Sequence, residues 1–253
     1  MPELTYFACG ATSHEMSRLL HGTAREWRLF PAGAFLYRSG ARRVLFDTGY
    51  APEPWRAGLG AWAYRRMLPP RVEPGDTIAE QIDPATITHV VLSHLHPDHI
   101  GGVRFFPNAA FVLSDGARRT LERSRLRDGL LRRLLPTWFP AATVLPSPVF
   151  TSGPHGLRTA DLFGDGSYLL VDLPGHARGH LGALVEQKVL LAGDAAWGRD
   201  LLGAEHRIRR LPRLVSHDMT RQRHTARMLL SAEQDGLRLL FSHDHHPTGQ
   251  NLL

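Results

Sequence analysis

A layered mixed α/β (α+β) fold, two β-sheets packed face to face under flanking helices, is the class predicted by three features of this sequence. Short apolar β-like runs alternate with helical stretches, and strands fall both early and late with helices between them. No shift of composition divides the chain, so residues 1–253 read as one domain. Hydrophobic residues make up 43%, enough for a sizeable core without disulfides, and the single cysteine, Cys9, has no partner for a bridge.

The elements follow in order. Phe35–Tyr37 and Arg43–Phe46 read as a hairpin joined near Ser39-Gly40, and its second strand runs into the turn Asp47-Thr48-Gly49. Thr77–Ile82 suggests a helix that stops before Asp83-Pro84. Ile87–Leu92 is a buried strand, and Ala109–Leu113 is another. Residues 117–135 read as a basic helical segment, interrupted at Gly129 and closed by Pro136. Later strands are expected at Tyr168–Asp172, Ala183–Glu186, Val189–Ala192 and Leu237–Phe241, with a helix over 217–232 between the last two.

A net charge of +6 and a pI near 10.2 raise nucleic acid or an anionic membrane as partners. The basic residues weaken that reading, because Lys188 is the single lysine and arginine supplies the rest. Such a skew points to base composition rather than to a partner. The N-terminal MPELTYFACGATSHE has no apolar leader core, and no apolar run approaches the roughly 18–20 residues that span a bilayer. A cytoplasmic protein without a membrane or nucleic-acid partner is the expectation.

Chemistry concentrates in Ser93-His94-Leu95-His96-Pro97-Asp98-His99, directly after a buried strand. Residues two apart in an extended stretch point the same way, so His94 and His96 can share one ion. Pro97 favours a turn into a helix, which lets Asp98 and His99 face a second ion beside the first. Imidazole and carboxylate suit zinc, iron or manganese. His176 in Pro174-Gly175-His176-Ala177-Arg178-Gly179-His180, Asp194 after VLLAG, and His243 after LLFS each end an apolar run, where strands deliver side chains to a shared rim.

In this order HLHPDH, PGHARGH, LLAGD and FSHD, with Asp47 in LFDTG, resemble the metallo-β-lactamase superfamily from about Val44 to His243. The resemblance implies an αββα sandwich of two mixed β-sheets flanked by helices, with metals at one edge between the sheets. It implies His94, His96 and His176 on one ion, Asp98, His99 and His243 on a second, and Asp194 bridging. His180 would be structural and Asp47 would orient a ligand imidazole, while Asp244, His245 and His246 receive no role. The implied cofactors are two divalent metal ions, zinc first, with iron or manganese as alternatives. A hydroxide bridging them would be the nucleophile, and Asp98 would be the catalytic proton shuttle.

The implied substrate is a small-molecule carboxylic ester or lactone, because the PGHARGH segment with a bridging aspartate is similar to lactonases and glyoxalase II-type thioesterases. Exported β-lactamases lack that aspartate, and only Asp244–Leu253 follow the last ligand, too little for a glutathione-binding extension or a flavodoxin domain. Lactonases place a tyrosine three residues after the bridging aspartate, where this chain has Trp197, which puts homoserine lactones in doubt. The block FACGATSHE with FPAGAFLYRSG is similar to bacterial members of the superfamily. Aromatic and apolar clusters at Trp62, Tyr64, Met67 and Leu68, at Phe105-Phe106 and at Trp138-Phe139 suggest a cleft for an apolar acyl or aromatic group, with core packing as the alternative. The rival functions are a phosphodiesterase or nuclease of the same superfamily and an iron-dependent redox or sensing protein.

Overall fold

Alternation of apolar side chains decides which face each strand buries, and along this chain both faces are apolar. The computed structural model describes every residue except Ala57, and the side chains of Trp55, Leu59, Met67, Leu126 and Val215 also lie outside the described part. Strands β1 (Glu3–Glu15), β2 (Trp27–Ser39), β3 (Arg42–Phe46), β4 (Pro70–Arg71), β5 (His89–Val91) and β6 (Ala110–Val112) form one sheet in the order β4-β1-β2-β3-β5-β6. Strands β7 (Thr151–Ser152), β8 (Arg158–Asp161), β9 (Tyr168–Asp172), β10 (Leu181–Val185), β11 (Val189–Gly193) and β12 (Arg238–Phe241) form the other, ordered β12-β11-β10-β9-β8-β7. Both sheets are mixed: β3, β5 and β6 run parallel in the first, and β11 and β12 in the second.

The sheets bury Phe35, Tyr37, Val44 and Phe46 against Tyr168, Leu170, Ala183 and Leu191. The alternate residues, Ala34, Leu36 and Leu45, face a second layer of helices and loops. On the far side, helix α6 (Met219–Gln234) lays Ala226, Leu229 and Ala232 over Leu184, Leu190 and Phe241. Asp218 starts that helix by accepting from the N–H groups of Thr220 and Arg221. Two mixed sheets under flanking helices are the architecture the sequence predicts.

Several elements differ from the expectation. β1 was not foreseen, and β2 is far longer than Phe35–Tyr37. Between them lies a single helical turn, α1 (Met16–Leu19). The Trp62–Met67 cluster lies on a helix, α2 (Leu59–Met67), and the predicted helix at 77–82 is one turn, α3 (Ile78–Gln81), closed by a Thr77–Glu80 capping box. A short helix α4 (Pro97–Ile100) begins at Pro97 as expected. The basic segment 117–135 is not one helix. Helix α5 (Asp115–Glu122) ends at Arg123, and 3-10 turns follow at Leu126–Asp128 and Arg132–Leu134. Asp128 accepts from the Arg125 N–H, and Gly129, at φ +67°, brings the chain so close to the His96 ring that a Cβ would lie 2.5 Å from it. That approach outweighs the helix propensity of the arginines and leucines.

Phe106 and Phe139 are core residues, with Phe105 and Trp138 packed against the same cluster, so these pairs do not line a cleft. Of the other apolar cluster, Trp62 is exposed on α2, and the Met67 side chain lies outside the described residues.

The loop after β3 is fastened to the end of α4. His99 O accepts from both the Thr48 N–H and hydroxyl, and the Gly101 N–H donates to Gly49 O at 2.9 Å. A Cβ on Gly101 would sit 2.0 Å from Ala51 N and 2.3 Å from Tyr50 C, both backbone atoms. Gly101→Ala should therefore destabilise the protein by about 2 kcal/mol or more, within the usual range for overpacking. Denaturant unfolding measures it, and an unchanged midpoint would contradict the close approach.

Candidate metal centre

Strands β3, β5, β9, β11 and β12 all deliver their C-terminal ends to one rim, because β9 and β11 are both antiparallel to β10 and β11 is parallel to β12. Asp47 follows β3, the segment from Ser93 to His99 follows β5, His176 follows β9, Asp194 follows β11, and His243 follows β12. The side chains of His94, His99, His176, Asp194 and His243 are buried, Asp98 is nearly so, and His96 is half-buried.

Three groups of potential ligand atoms converge: His94, His96 and His176; His94, His99 and Asp194; and Asp98, His99 and His243. Within each group the atoms lie within 4.8 Å of one another. Asp194 spans the set, with Oδ1 at 3.3 Å from His99 Nε2 and Oδ2 at 3.4 Å from His176 Nε2 and 3.0 Å from His243 Nε2. Asp98 Oδ2 is 3.6 Å from both His99 Nε2 and His243 Nε2. His176 Nε2 faces His96 Nδ1 at 3.2 Å. All seven residues singled out in the sequence thus share one site.

The outer nitrogens of several rings are held by the scaffold. Asp47 Oδ1 accepts from the Ser93 N–H and Oδ2 from its hydroxyl, at 2.8 and 2.7 Å. The same Oδ2 meets His99 Nδ1 at 2.8 Å, and Ser93 Oγ meets His94 Nδ1 at 3.0 Å. With the serine proton on Asp47, both rings donate through Nδ1, which leaves Nε2 free to face inward. His243 Nδ1 donates to Pro31 O at 2.7 Å in the same way. His180 differs, because both of its nitrogens are used: Nδ1 on Leu173 O, and Nε2 accepting from the Asp194 N–H at 3.0 Å. It has no free lone pair for an ion and instead holds Asp194.

A divalent cation fits this donor set. His94 Nε2, His99 Nε2 and Asp194 Oδ1 are buried without a hydrogen-bond partner among the described residues. Buried polar atoms are rarely left so, and unpartnered lone pairs converging from several strands suit a cation. His176 Nδ1, on the outer side of its ring, is unpartnered too.

Two tyrosines lie beside the centre: Tyr64, which the sequence placed among the residues of an apolar cleft, and Tyr50, which it did not single out. Tyr50 Oη and Tyr64 Oη lie 3.2 Å apart, Tyr50 buried after the Asp47 loop and Tyr64 half-buried on α2. Burial, then the negative charge of Asp98, holds both phenols well above their ordinary range, so both stay protonated. Two O–H groups sharing one bond leave one free to donate. Tyr50 follows DTG directly, which was its only signal. Trp197 packs against the apolar cluster of Met16, Leu20, Phe30 and Ile208. Asp244 accepts from the Arg199 N–H, and His246 stacks edge-on against Tyr6.

Comparison with known proteins fits this geometry. The model of the metallo-beta-lactamase superfamily matches residues 27–243. The chain belongs to that superfamily. It is 32% identical over 181 residues to a probable metallo-hydrolase of Mycobacterium tuberculosis, covering 65% of this chain and 56% of that protein. It is 30% identical over 177 residues to an N-acyl homoserine lactonase of Azorhizobium caulinodans, covering 64% of this chain and 60% of the relative. The match therefore spans less than two thirds of the length of either relative. Among solved structures, this superfamily member shares its fold with an N-acyl homoserine lactone hydrolase holding N-hexanoyl-L-homoserine at its catalytic metal centre. The TM-score is 0.73 at 18% identity, over 96% of this chain and 93% of that one. A dizinc quorum-quenching lactonase overlays with a TM-score of 0.69 at 16% identity, over 98% and 89%. Among the described residues no helix is long and apolar enough to cross a membrane.

Electrostatics divide the centre in two. Burial holds His94, His96 and His176 below the ordinary histidine range. Burial also lowers His243, but Asp194 and Asp98 outweigh it and raise the imidazole to about 9. A raised pKa stabilises the metal-free fold fully below the unfolded value of about 6.5, and that contribution is lost as pH rises through about 9. An ion on Asp98, His99 and His243 must displace this proton. Its affinity should rise by roughly tenfold per pH unit for each proton released, up to about pH 9. Competition with a chromophoric chelator between pH 6 and 9 checks this, and a flat profile would contradict it.

Proposed function

We propose that this chain is a binuclear metal-dependent hydrolase that cleaves a carboxylic ester or lactone in a small molecule. The observation that carries the reading is the chain of three ligand groups joined through His94, His99 and Asp194. It is supported by the metallo-hydrolase and lactonase names of the relatives. In this reading His94, His96 and His176 hold one ion, Asp98, His99 and His243 hold the other, and Asp194 bridges. Zinc suits five imidazoles and two carboxylates. Bound there, the ions would supply a water acidified toward neutrality and positive charge against the carbonyl oxygen.

The remaining work falls to the protein. Asp98 takes the proton released at attack and passes it to the departing oxygen. Tyr64, backed by Tyr50, donates its O–H to the substrate oxygen on which negative charge grows, the part a tyrosine at position 197 would otherwise play. Asp47, Ser93, Pro31 and His180 keep the imidazoles and Asp194 in place, so that little reorganisation accompanies the reaction. The exposed face of α2 around Trp62 offers a surface for an apolar acyl or aromatic group.

Elemental analysis of metal-loaded protein should give two ions per chain, with at least one lost in Asp194→Ala. His180→Ala should keep both ions and lose about 1–3 kcal/mol of stability, because the Asp194 N–H would be left buried and unpaired. A panel of esters, lactones, a phosphodiester and single-stranded RNA should show turnover of the carbonyl compounds only. Turnover of the phosphodiester alone, or a single ion after loading, would overturn the reading.

Tyr64→Phe should lower kcat by roughly tenfold to a hundredfold while leaving metal content intact, as expected for loss of one donor to a developing oxyanion. An unchanged kcat would remove Tyr64 from the mechanism.

A further inference from the structure

Beside the His96–His176 edge of the centre lies a narrow cleft, and apart from those two histidines its polar lining has no part in the proposed chemistry. Its floor is Leu95, His96 and His176, and one wall is Ala117 and Thr120 of α5. The other sides are Arg127 and Asp128 from the 3-10 turn, Arg178 from the PGHARGH loop, and His217 just before α6. Three separate segments therefore bring two guanidiniums and an imidazole to one opening.

These groups are anchored but unpaired. The His217 N–H donates to His176 O at 2.7 Å, which ties this residue to the backbone of a proposed ligand. A Cβ on Gly116 would lie 2.6 Å from Gly179 N, so α5 packs directly on the loop that carries Arg178. Arg178 Nε and His217 Nδ1 are buried with no hydrogen-bond partner, whereas Thr120 is satisfied by Gly116 O. No carboxylate lies within ion-pair distance of Arg127 or Arg178 among the described residues. Asp128, the one acid in the lining, already accepts from the Arg125 N–H at 2.6 Å. Two guanidiniums against one carboxylate leave a single net positive charge, which matches a monoanion better than a dianionic phosphate.

We infer that the substrate carries a free carboxylate, and that Arg178, Arg127 and His217 hold it in this cleft next to the scissile bond. Arg178 and His217 offer buried donors, while Arg127, on an exposed turn, closes over the anion and gives the bidentate geometry a carboxylate accepts. The substrate is then an acidic ester or lactone, with its carboxylate on the His96–His176 side and any apolar group toward Trp62 and Tyr64 on α2. The inference rests on the proposed hydrolase reading for its substrate. The anion site itself can be tested without turnover.

The binding arm uses metal-loaded protein and two probes of equal length that cannot be hydrolysed as esters, glutaramate and the neutral glutaramide, titrated by calorimetry. Glutaramate should bind at least roughly tenfold more tightly, the scale of a charged hydrogen bond. That preference should fall to near one in Arg127→Gln/Arg178→Gln and weaken in Arg127→Gln alone, whose exposed position makes misfolding no explanation. Arg123→Gln, which removes the same charge outside the cleft, should keep it. A preference that survives the double substitution would mean the carboxylate sits on the metals alone, and would overturn the inference, as would equal binding of both probes. The turnover arm compares kcat/KM for the 4-nitrophenyl monoester of glutaric acid with that for 4-nitrophenyl pentanoate. A ratio well above one that collapses in the double variant supports the inference, and a ratio near one in the unaltered protein overturns it. Should neither ester be cleaved while glutaramate still binds through the two arginines, the hydrolase reading fails and the carboxylate site stands.

Discussion

The buried carboxylate of Asp47 is the constraint on which the rest of the centre depends. It sits at φ +61°, a left-handed conformation that few residues other than glycine adopt, and it is fully buried. The turn aims its two oxygens at the next strand end, where they collect the Ser93 N–H, the Ser93 hydroxyl and His99 Nδ1. One side chain just after β3 thereby fixes the chain leaving β5 and the orientation of two imidazoles. The parallel pairing of β3 and β5 makes this possible, because it brings both C-terminal ends to the same edge. Removing the carboxylate would leave three buried donors unsatisfied and free both rings to turn.

The second sheet solves the same problem with neutral groups. Asp194 is held through its own N–H by His180, and His243 is held by the Pro31 carbonyl of β2, which reaches across from the other sheet. The Gly33 N–H donates to Ser242 O, and a Cβ at position 33 would lie 2.6 Å from that oxygen. The loop carrying His243 is thus pinned to the first sheet at two adjacent points. Ligand placement depends on the packing of the two sheets, which explains why residues so distant in sequence converge.

How much of this was legible follows from where each signal resides. The buried strands β5, β9, β10, β11 and β12 are continuous apolar runs, and their C-terminal polar residues stand out against them. β1 escaped notice because ELTYFACGATSHE mixes glycine, threonine and serine into its alternation, and its register shifts between Ala8 and Ala11. The candidate ligand histidines and aspartates carry their signal in local spacing and in order along the chain. The Tyr50–Tyr64 contact joins two elements fourteen residues apart and has no local signature. The basic 117–135 segment reads as helical by propensity with an interruption at Gly129, yet the α-helix already ends at Glu122, and the close approach of Gly129 to the His96 ring has no local signature.

That break links specificity to the fold. A continuous helix through 117–135 would spread its arginines along one helical rod. The chain instead stops at Arg123, turns at Leu126–Asp128 and descends on His96, so Arg127 faces the centre. Arg178 is carried there by the loop that presents His176, and His217 by the residue pair that starts α6. The metal-ligand pattern is therefore independent of the groups that would select a substrate, which come from segments with no motif of their own. Members of one superfamily can keep the first set while exchanging the second. In the proposed reading, the cleft beside His96 and the Tyr50–Tyr64 pair are the parts of this chain that would bear on its substrate.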